Sequence, residues 1–128
     1  MLELNRQSNT PIYEQIIKQI ERLIIIGNLL PEELIPSVRC VSLELSVNPN
    51  TIQKAYNELE LKNITYSVPG IGRFVSKNAR ELITLSYSLK LDGIYSTIYE
   101  LALAGIPCQT VLELIKSAYG NAEIAKMK

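Results

Sequence analysis

The sequence of 128 residues has no histidine and no tryptophan, and it contains only one phenylalanine and two cysteines. Histidine is the commonest metal ligand and the commonest general base at neutral pH. Its absence argues against a zinc site and against a Ser-His-Asp triad. The sequence also lacks a glycine loop that would cradle phosphates and a paired-carboxylate motif. We therefore expect no enzyme activity, no metal and no cofactor.

The sequence also lacks an excess charge and a long apolar run. Thirteen basic and 13 acidic residues give zero formal net charge, whereas nucleic-acid binders usually carry a basic excess. A small basic cluster on one face is still able to bind phosphates. The longest apolar cluster, residues 23–26, is far shorter than the roughly 20 residues that span a bilayer. The first residues do not resemble a signal peptide, so we expect a cytoplasmic protein without membrane contact.

Cysteine is scarce, and its two positions are far apart in the sequence. In a reducing compartment, Cys40 and Cys108 are predicted to be free thiols in partly buried positions. The alternative is a redox-sensing pair.

The first predicted helix covers residues 11–26. Thr10 is its predicted cap, Pro11 fits the first helical position, and Gly27 fits the left-handed position that ends it. Apolar residues recur at helical spacing and predict a buried face made of Ile12, Tyr13, Ile16, Ile17, Ile20, Leu23 and Ile24. The overall composition, 47% hydrophobic and 20% charged, is that of a globular protein.

Two more helices are predicted close together. Ser37 caps a helix over residues 38–45, a tight turn follows at 46–47, and Asn48 caps a helix over 49–62. A helix, a short turn and a newly capped helix are the pattern of a helix-turn-helix.

A β-hairpin is predicted to follow. Residues 64–68 alternate apolar and polar side chains, residues 69–72 (Pro-Gly-Ile-Gly) have turn chemistry, and residues 73–75 resume an extended run. A further short extended stretch is predicted at 34–36. A hairpin directly after a helix-turn-helix is a wing, so the predicted fold class is α+β and mostly helical.

Residues 78–128 form a second region after the predicted DNA-binding domain, residues 1–77. Two helices are predicted there, over 79–104 and 107–119, with Gly105 between them. The first would be about 39 Å long.

The pattern of residues 82–91 is ambiguous. Ile83, Tyr87 and Leu91 fit a helical face, but the same stretch also alternates apolar and polar residues as a strand does. We favour the helix, because a lone strand here has no obvious partner. Asp92-Gly93 is either a turn or a weak point within that helix.

The third helix separates an apolar face from a polar one. The apolar face consists of Ile52, Ala55, Tyr56 and Leu59 and is predicted to face the core. The polar side chains near its N-terminal half are those of Asn50, Thr51, Gln53, Lys54 and Asn57. Hydrogen-bonding side chains at this end of a recognition helix are suited to reading the major groove.

Basic and glycine residues extend this surface. Arg39 lies in the first turn of the second helix, where it is able to hold a phosphate or a guanine. Gly72 would let the wing approach a groove closely, and Arg73 or Lys77 would add charge. Each residue taken alone is equally explained by ordinary solvation, and Arg39 by an ion pair with Glu44. The combination is more specific than any part.

The order and spacing of these motifs resemble the GntR family of bacterial regulators over residues 10–76. The resemblance is carried by Pro11-Ile12-Tyr13-Glu14-Gln15-Ile16, Leu34-Ile35-Pro36-Ser37-Val38-Arg39, Val47-Asn48-Pro49-Asn50-Thr51-Ile52, Ala55-Tyr56-Asn57-Glu58-Leu59-Glu60 and Gly70-Ile71-Gly72-Arg73-Phe74-Val75. It implies a winged helix that binds a palindromic DNA operator as a homodimer, without catalysis. The DNA contacts that it implies are Arg39, Asn50, Thr51, Gln53, Lys54 and the wing-tip Gly72.

The sequence departs from the family pattern at three places. Pro31-Glu32-Glu33 replaces the usual Pro-Gly-Asp, Gln53 occupies a position that is often basic, and the wing begins with Pro69-Gly70 where Arg-Gly is usual. The last departure removes a phosphate or groove contact and predicts modest affinity.

The short tail resembles that of the YtrA subfamily, in which the tail mainly dimerises and the regulators often repress operons for ABC transporters. The predicted dimer interface consists of Ile94, Tyr95, Ile98, Leu101, Leu112 and Ile115. The alternative is that these side chains pack onto the winged helix of the same chain. Truncation after Lys77 is then expected to give a monomer.

The competing function is a winged helix that binds proteins, which the zero net charge favours. The polar face of the third helix favours DNA, and the small-molecule effector, if the protein has one, stays open.

Overall fold

The chain divides into two compact units, the N-terminal unit (Met1–Leu85) and the C-terminal unit (Ser86–Lys128). The computed structural model describes residues 2–127. The helices and strands in chain order are α1 (Ile12–Ile25), α2 (Val38–Leu45), α3 (Pro49–Leu61), β1 (Thr65–Val68), β2 (Gly72–Val75), α4 (Ala79–Ser88), α5 (Leu91–Leu103) and α6 (Cys108–Lys126). The mostly helical α+β fold and its winged helix-turn-helix match the prediction.

Helix α1 begins one residue later than predicted. Pro11 is the N-cap, with φ −54° and ψ 148°, and no side chain caps the helix. The prediction that Thr10 caps α1 was therefore wrong. The carbonyl oxygen of Thr10 instead accepts a hydrogen bond from Gln15 Nε2 at 2.9 Å. At the other end Gly27 has φ +88°, the left-handed conformation that ends a helix without strain.

The core of the N-terminal unit forms where α1 and α2 pack against α3. The apolar stripe of α1 meets the apolar face of α3, as the helical spacing predicts. The fully buried members of this contact are Ile16, Ile20, Ile52, Ala55, Tyr56 and Leu59. Burying a side chain of isoleucine size contributes about 1.5–3 kcal/mol, so this packing holds α3 in place.

The wing is an antiparallel pair, β1 and β2, with Thr65 opposite Val75 and Val68 opposite Gly72. The stretch before α2 joins it, because Leu34 bridges Phe74 and the Ile35 amide donates to the Arg73 carbonyl at 2.9 Å. The predicted extended segment at 34–36 is thus the link that ties the wing to the helix-turn-helix.

The face of β1 that is buried differs from the simplest reading of the alternation. Thr65 is buried and Tyr66 is 38% exposed, although Tyr66 is the more apolar residue. The register explains this difference, since Thr65 pairs with Val75, which is itself fully buried. The hydroxyl of Tyr66 instead donates to the Glu32 carboxylate.

Helix α4 belongs to both units of the chain. Its residues Ala79 and Ile83 are fully buried in the core of the N-terminal unit, so that unit extends beyond Lys77. Residues 82–88 are helical, which decides the ambiguous stretch in favour of the helix. The predicted single helix over 79–104 was wrong, because the chain turns at 89–90, where the Lys90 amide donates to the Tyr87 carbonyl at 3.0 Å.

The C-terminal unit contains α5, α6 and the end of α4. Asp92 lies in the first turn of α5, where a carboxylate favours a helix start, so Asp92-Gly93 begins a helix instead of interrupting one. Gly105, with φ +89°, separates α5 from α6 as predicted. Helix α6 continues to Lys126, beyond its predicted end at 119. Within residues 2–127, no helix combines the length and apolar character needed to cross a bilayer.

The prediction that the two cysteines are partly buried was wrong, because both are exposed and both are free thiols. Cys40 lies in the first turn of α2 and directly precedes Val41, the buried residue of that helix. Cys108 is the first residue of α6, a helix without a buried residue.

Candidate nucleic-acid interface

Local hydrogen bonds hold the helix-turn-helix, both at the starts of α2 and α3 and in the turn between them. The Ser37 hydroxyl accepts from the Cys40 amide at 3.1 Å, and Asn48 Oδ1 accepts from the Asn50 amide at 2.8 Å, as the predicted caps require. Ser46 takes the left-handed conformation with φ 54° and ψ 47°. The Ser42 hydroxyl closes the turn by donating to the Val47 carbonyl at 2.6 Å.

A contact from the start of the chain also holds this turn, and the sequence did not reveal it. Arg6 Nη2 donates to the carbonyl oxygens of Leu45 and Ser46 at 3.0 and 3.3 Å. These carbonyls end α2, where a cation is also favoured by the helix dipole. The N-terminal segment is in turn held by α1, since Gln15 Oε1 accepts from the Asn5 amide at 2.9 Å. In the sequence, the only signal of this attachment was the pair of glutamines one turn apart on α1, Gln15 and Gln19.

Helix α3 presents its polar N-terminal half to solvent. Asn50 is exposed, and Thr51 and Gln53 are partly exposed, while Ile52 between them is fully buried. The buried position therefore anchors the helix, and its polar neighbours remain accessible to a partner.

The two basic side chains near this surface differ in their surroundings. Arg39 is exposed in the first turn of α2. Lys54 is also exposed, but its ammonium lies 3.9 Å from the centre of the Tyr13 ring on α1. A cation–π contact at an exposed site is worth about 0.5–1 kcal/mol. Lys54 would have to give up this contact in order to reach a phosphate.

The tip of the wing is a tight turn in which the Ile71 amide donates to the Val68 carbonyl at 3.0 Å. Gly72 follows this turn with φ +143°, and a Cβ added there would lie 3.0 Å from Leu34 Cδ1. The positive φ favours glycine at this position for the fold of the wing itself, and an added Cβ would in addition require the Leu34 side chain to shift. Its predicted role as a groove contact therefore comes in addition to a structural one.

Arg73, the other predicted wing contact, lies against α3. Its Nη2 donates to Asn57 Oδ1 at 3.0 Å, and its guanidinium carbon is 5.5 Å from the centre of the Tyr56 ring. Asn57 Oδ1 also accepts from Gln53 Nε2 at 3.0 Å. The structure thus brings together one predicted wing residue and one predicted helix residue, and it adds Asn57 as the group that joins them.

Tyr56 supports this cluster from the core side. Its hydroxyl donates to the Pro36 carbonyl at 2.7 Å. Burial raises the pKa of Tyr56 to about 12, with the nearby charge of Arg73 acting in the opposite direction. The phenol of Tyr56 is therefore uncharged at neutral pH, and its hydrogen bond holds it in place.

The residues predicted to form the dimer interface lie on α5 and α6 of the C-terminal unit. Ile94, Ile98, Leu112 and Ile115 are 52%, 36%, 42% and 41% exposed, respectively. Tyr95 is 71% exposed, and Leu101 is partly exposed. None of the described side chains of α5 or α6 is buried.

A capped helix-turn-helix followed by a wing, with a polar and accessible second helix, defines a winged helix-turn-helix protein of the DNA-binding kind. Comparison with known proteins narrows this class. Residues 12–75 match the family described as bacterial regulatory proteins, gntR family. The chain belongs to the GntR family.

Individual relatives agree with this assignment. The chain is 35% identical to the HTH-type transcriptional repressor YtrA of Bacillus subtilis over 127 residues, which cover 98% of each protein. A GntR-family transcriptional regulator from Listeria monocytogenes has a similar structure, with a TM-score of 0.69 and 32% identity over 87% of this chain and 97% of that one. The DNA-binding domain of AraR in complex with its operator ORX1 has a TM-score of 0.54 and 32% identity, covering 59% of this chain and 96% of that one.

Proposed function

We propose that this protein is a transcriptional repressor that binds a palindromic operator as a homodimer. The observation that carries the proposal is the accessible, uncharged hydrogen-bonding surface of α3 at Asn50, Thr51 and Gln53, together with the exposed Arg39 in the first turn of α2. The similarity to a B. subtilis repressor over nearly the whole chain supports regulation, and the AraR complex shows a related domain on DNA.

In this proposal the side chains of α3 read base edges in the major groove. Asn50, Thr51 and Gln53 form hydrogen bonds with bases, and Arg39 holds a guanine or a phosphate at the start of α2. Lys54 leaves Tyr13 and neutralises a phosphate. The backbone at Gly72 approaches the neighbouring groove.

The distribution of charge supports phosphate binding despite the zero net charge of the whole chain. Residues 61–80, which contain the wing and its flanks, include four basic residues and no acidic one. The basic residues are Lys62, Arg73, Lys77 and Arg80. A local positive potential of this kind attracts a nucleic-acid backbone.

The homodimer is proposed from the exposed apolar side chains of the C-terminal unit. Contact with water is unfavourable for the apolar side chains of Ile94, Ile98 and Ile115. A second copy of the same surface would cover them. Two linked winged helices would then bind two half-sites, about 34–36 Å apart or a multiple of that distance. This geometry explains why the operator would be palindromic.

The target follows only from the likeness to the YtrA subfamily, which points to an operon for an ABC transporter. The repressor would act in the bacterial cytoplasm by occupying DNA, without a catalytic step or a cofactor.

The proposal is tested by selecting binding sites for the full-length protein from a random duplex library and titrating the selected duplex by fluorescence anisotropy at fixed salt. We expect Arg39→Ala to weaken binding by about 5- to 150-fold, the range of one good base contact. Arg22→Ala is the matched control, because it removes the same charge from an exposed position on α1 that has no part in the proposed DNA contacts. We expect Arg22→Ala to have a smaller effect.

A wild-type protein that selects no sequence, and whose binding to every duplex is undetectable even at low salt, would contradict the proposal. The winged helix would then be a protein-binding module, as the zero net charge allows.

A further inference from the structure

Two side-chain donors, one on α3 and one on β2, share a single acceptor atom on Asn57. Asn57 Oδ1 accepts from Gln53 Nε2 and from Arg73 Nη2, each at 3.0 Å. Gln53 and Asn57 lie one turn apart on α3, and Arg73 lies on β2. The wing is therefore hydrogen-bonded directly to the polar face of α3.

The guanidinium of Arg73 is held in this position and is not extended toward solvent. It lies over the Tyr56 ring, and its Nη1 atom is buried without a hydrogen-bond partner. A buried Nη1 is not able to meet a phosphate unless the whole side chain moves. Tyr56 itself is fixed by its hydrogen bond to the Pro36 carbonyl.

The chemistry of these groups determines which way the Asn57 amide faces. Asparagine and glutamine each carry one acceptor and one NH₂ donor, so a pair of them is able to hydrogen-bond in either sense. Arginine carries donors only. Because Arg73 only donates, Asn57 has to direct its Oδ1 toward Arg73. The Nδ2 donors of Asn57 then face away from Arg73. Gln53 donates to Asn57 and keeps its Oε1 as a free acceptor.

We propose that Arg73 is a positioning residue that sets the hydrogen-bond polarity of Gln53 and Asn57, and through it the base preference of α3, without touching DNA. The inference rests on the proposed function, because it assumes that α3 reads bases. Asn57 Nδ2 then donates to an acceptor edge, such as guanine O6 and N7 or thymine O4. Gln53 pairs with adenine, whose edge offers one donor and one acceptor.

The test compares the full-length wild type with R73M and R73K on duplexes that carry every base at each position of the selected half-site. R73M keeps much of the length and removes the donors, and we expect it to lose about 5-fold or more of the discrimination at the position that Asn57 reads. R73K restores a donor and is expected to recover the preference. Lys18→Met is the matched control, since it removes one charge from an exposed position on α1 that has no part in the proposed DNA contacts, and it should leave the base preference unchanged.

Salt dependence separates positioning from a phosphate contact. Each phosphate contact contributes about 0.9 to the slope of log K against log salt, so R73M should keep the wild-type slope if Arg73 touches no phosphate. A slope reduced by about 0.9 in R73M would overturn the inference.

A double variant guards against a purely structural effect on the wing. If Arg73 acts through Asn57, then R73M combined with N57A should show the same base preference as N57A alone. An additional change of preference in the double variant would overturn the inference, as would R73M with undiminished discrimination. Absence of any sequence preference in the wild type would instead contradict the proposed function.

Discussion

The two units of this chain place their apolar side chains differently. In the N-terminal unit, Ile16, Ile20 and Ile83 are fully buried. In the C-terminal unit, none of the described side chains is buried, and Tyr95 and Leu103 are more than 70% exposed. A helix gains most of its stability from burying an apolar face. The N-terminal unit therefore carries its own core, whereas the C-terminal unit has no buried side chain among its described residues, and the proposed association of two copies would supply that burial.

The difference in burial between the two units is tested most strongly by replacing one isoleucine with alanine in each unit. Ile16→Ala should lower the free energy of unfolding by about 2–5 kcal/mol at every protein concentration, because it leaves a cavity in a closed core. Ile94→Ala removes a side chain that is 52% exposed, so its effect should be small in dilute protein. It should grow with concentration as wild-type dimers form.

Urea denaturation at several protein concentrations measures both variants. An Ile94→Ala effect as large as that of Ile16→Ala, and independent of concentration, would show that the C-terminal unit has a core of its own.

The second prediction concerns the dimer. Ile98→Glu should convert the protein to a monomer, because it places a charge in the proposed apolar contact. Loss of the linked second half-site should then weaken operator binding by about 100-fold or more. Sedimentation equilibrium and anisotropy titration measure the two effects.

Leu61→Glu is the matched control, since Leu61 is 77% exposed and lies at the end of α3. It should remain dimeric, and an Ile98→Glu protein that also remained dimeric would remove α5 from the interface. Truncation after Lys77 is a poor test, because it also deletes the buried Ala79 and Ile83.

The smallest predicted effect separates the buried tyrosine of the N-terminal unit from the exposed ones of the C-terminal unit. Burial raises the pKa of Tyr56 in the folded state from its usual value of 10.0 to about 12. The unfolded chain releases this proton first as the pH rises, so the contribution of Tyr56 to stability is complete below pH 10 and is lost between pH 10 and 12.

Thermal unfolding of the wild type and of Tyr56→Phe across this range measures that contribution. The wild type should lose more stability above pH 10 than Tyr56→Phe does. Tyr95→Phe, a change at a 71% exposed position, should follow the wild type. Identical curves for the wild type and Tyr56→Phe would show that the phenol ionises equally in both states.

Much of the helix-turn-helix was predictable because its signals are local. Ser37 and Asn48 cap the helices that follow them, and the structure contains both hydrogen bonds. The break at residues 89–90 was missed, because the helical stripe runs through it without a proline or a glycine. The attachment of Arg6 to the end of α2 was missed because nearly 40 residues separate the partners.

For the candidate site, the sequence was sufficient to predict which residues of α3 stay accessible but not which atoms they engage. The period of a helix assigns Asn50 to a polar side and Ile52 to a buried one. The direction of Arg73 depends on how β2 lies beside α3, and Lys54 meets Tyr13 only because α1 packs there.

By itself, the sequence determined the helix caps, the turn residues and the apolar stripes, because these depend on neighbours within about four positions along the chain. Only the tertiary structure decided that Arg73 meets Asn57, that Thr65 is buried in place of Tyr66 and that α4 completes the first core. Those outcomes depend on strand register and on helix packing, which join residues that are distant in sequence.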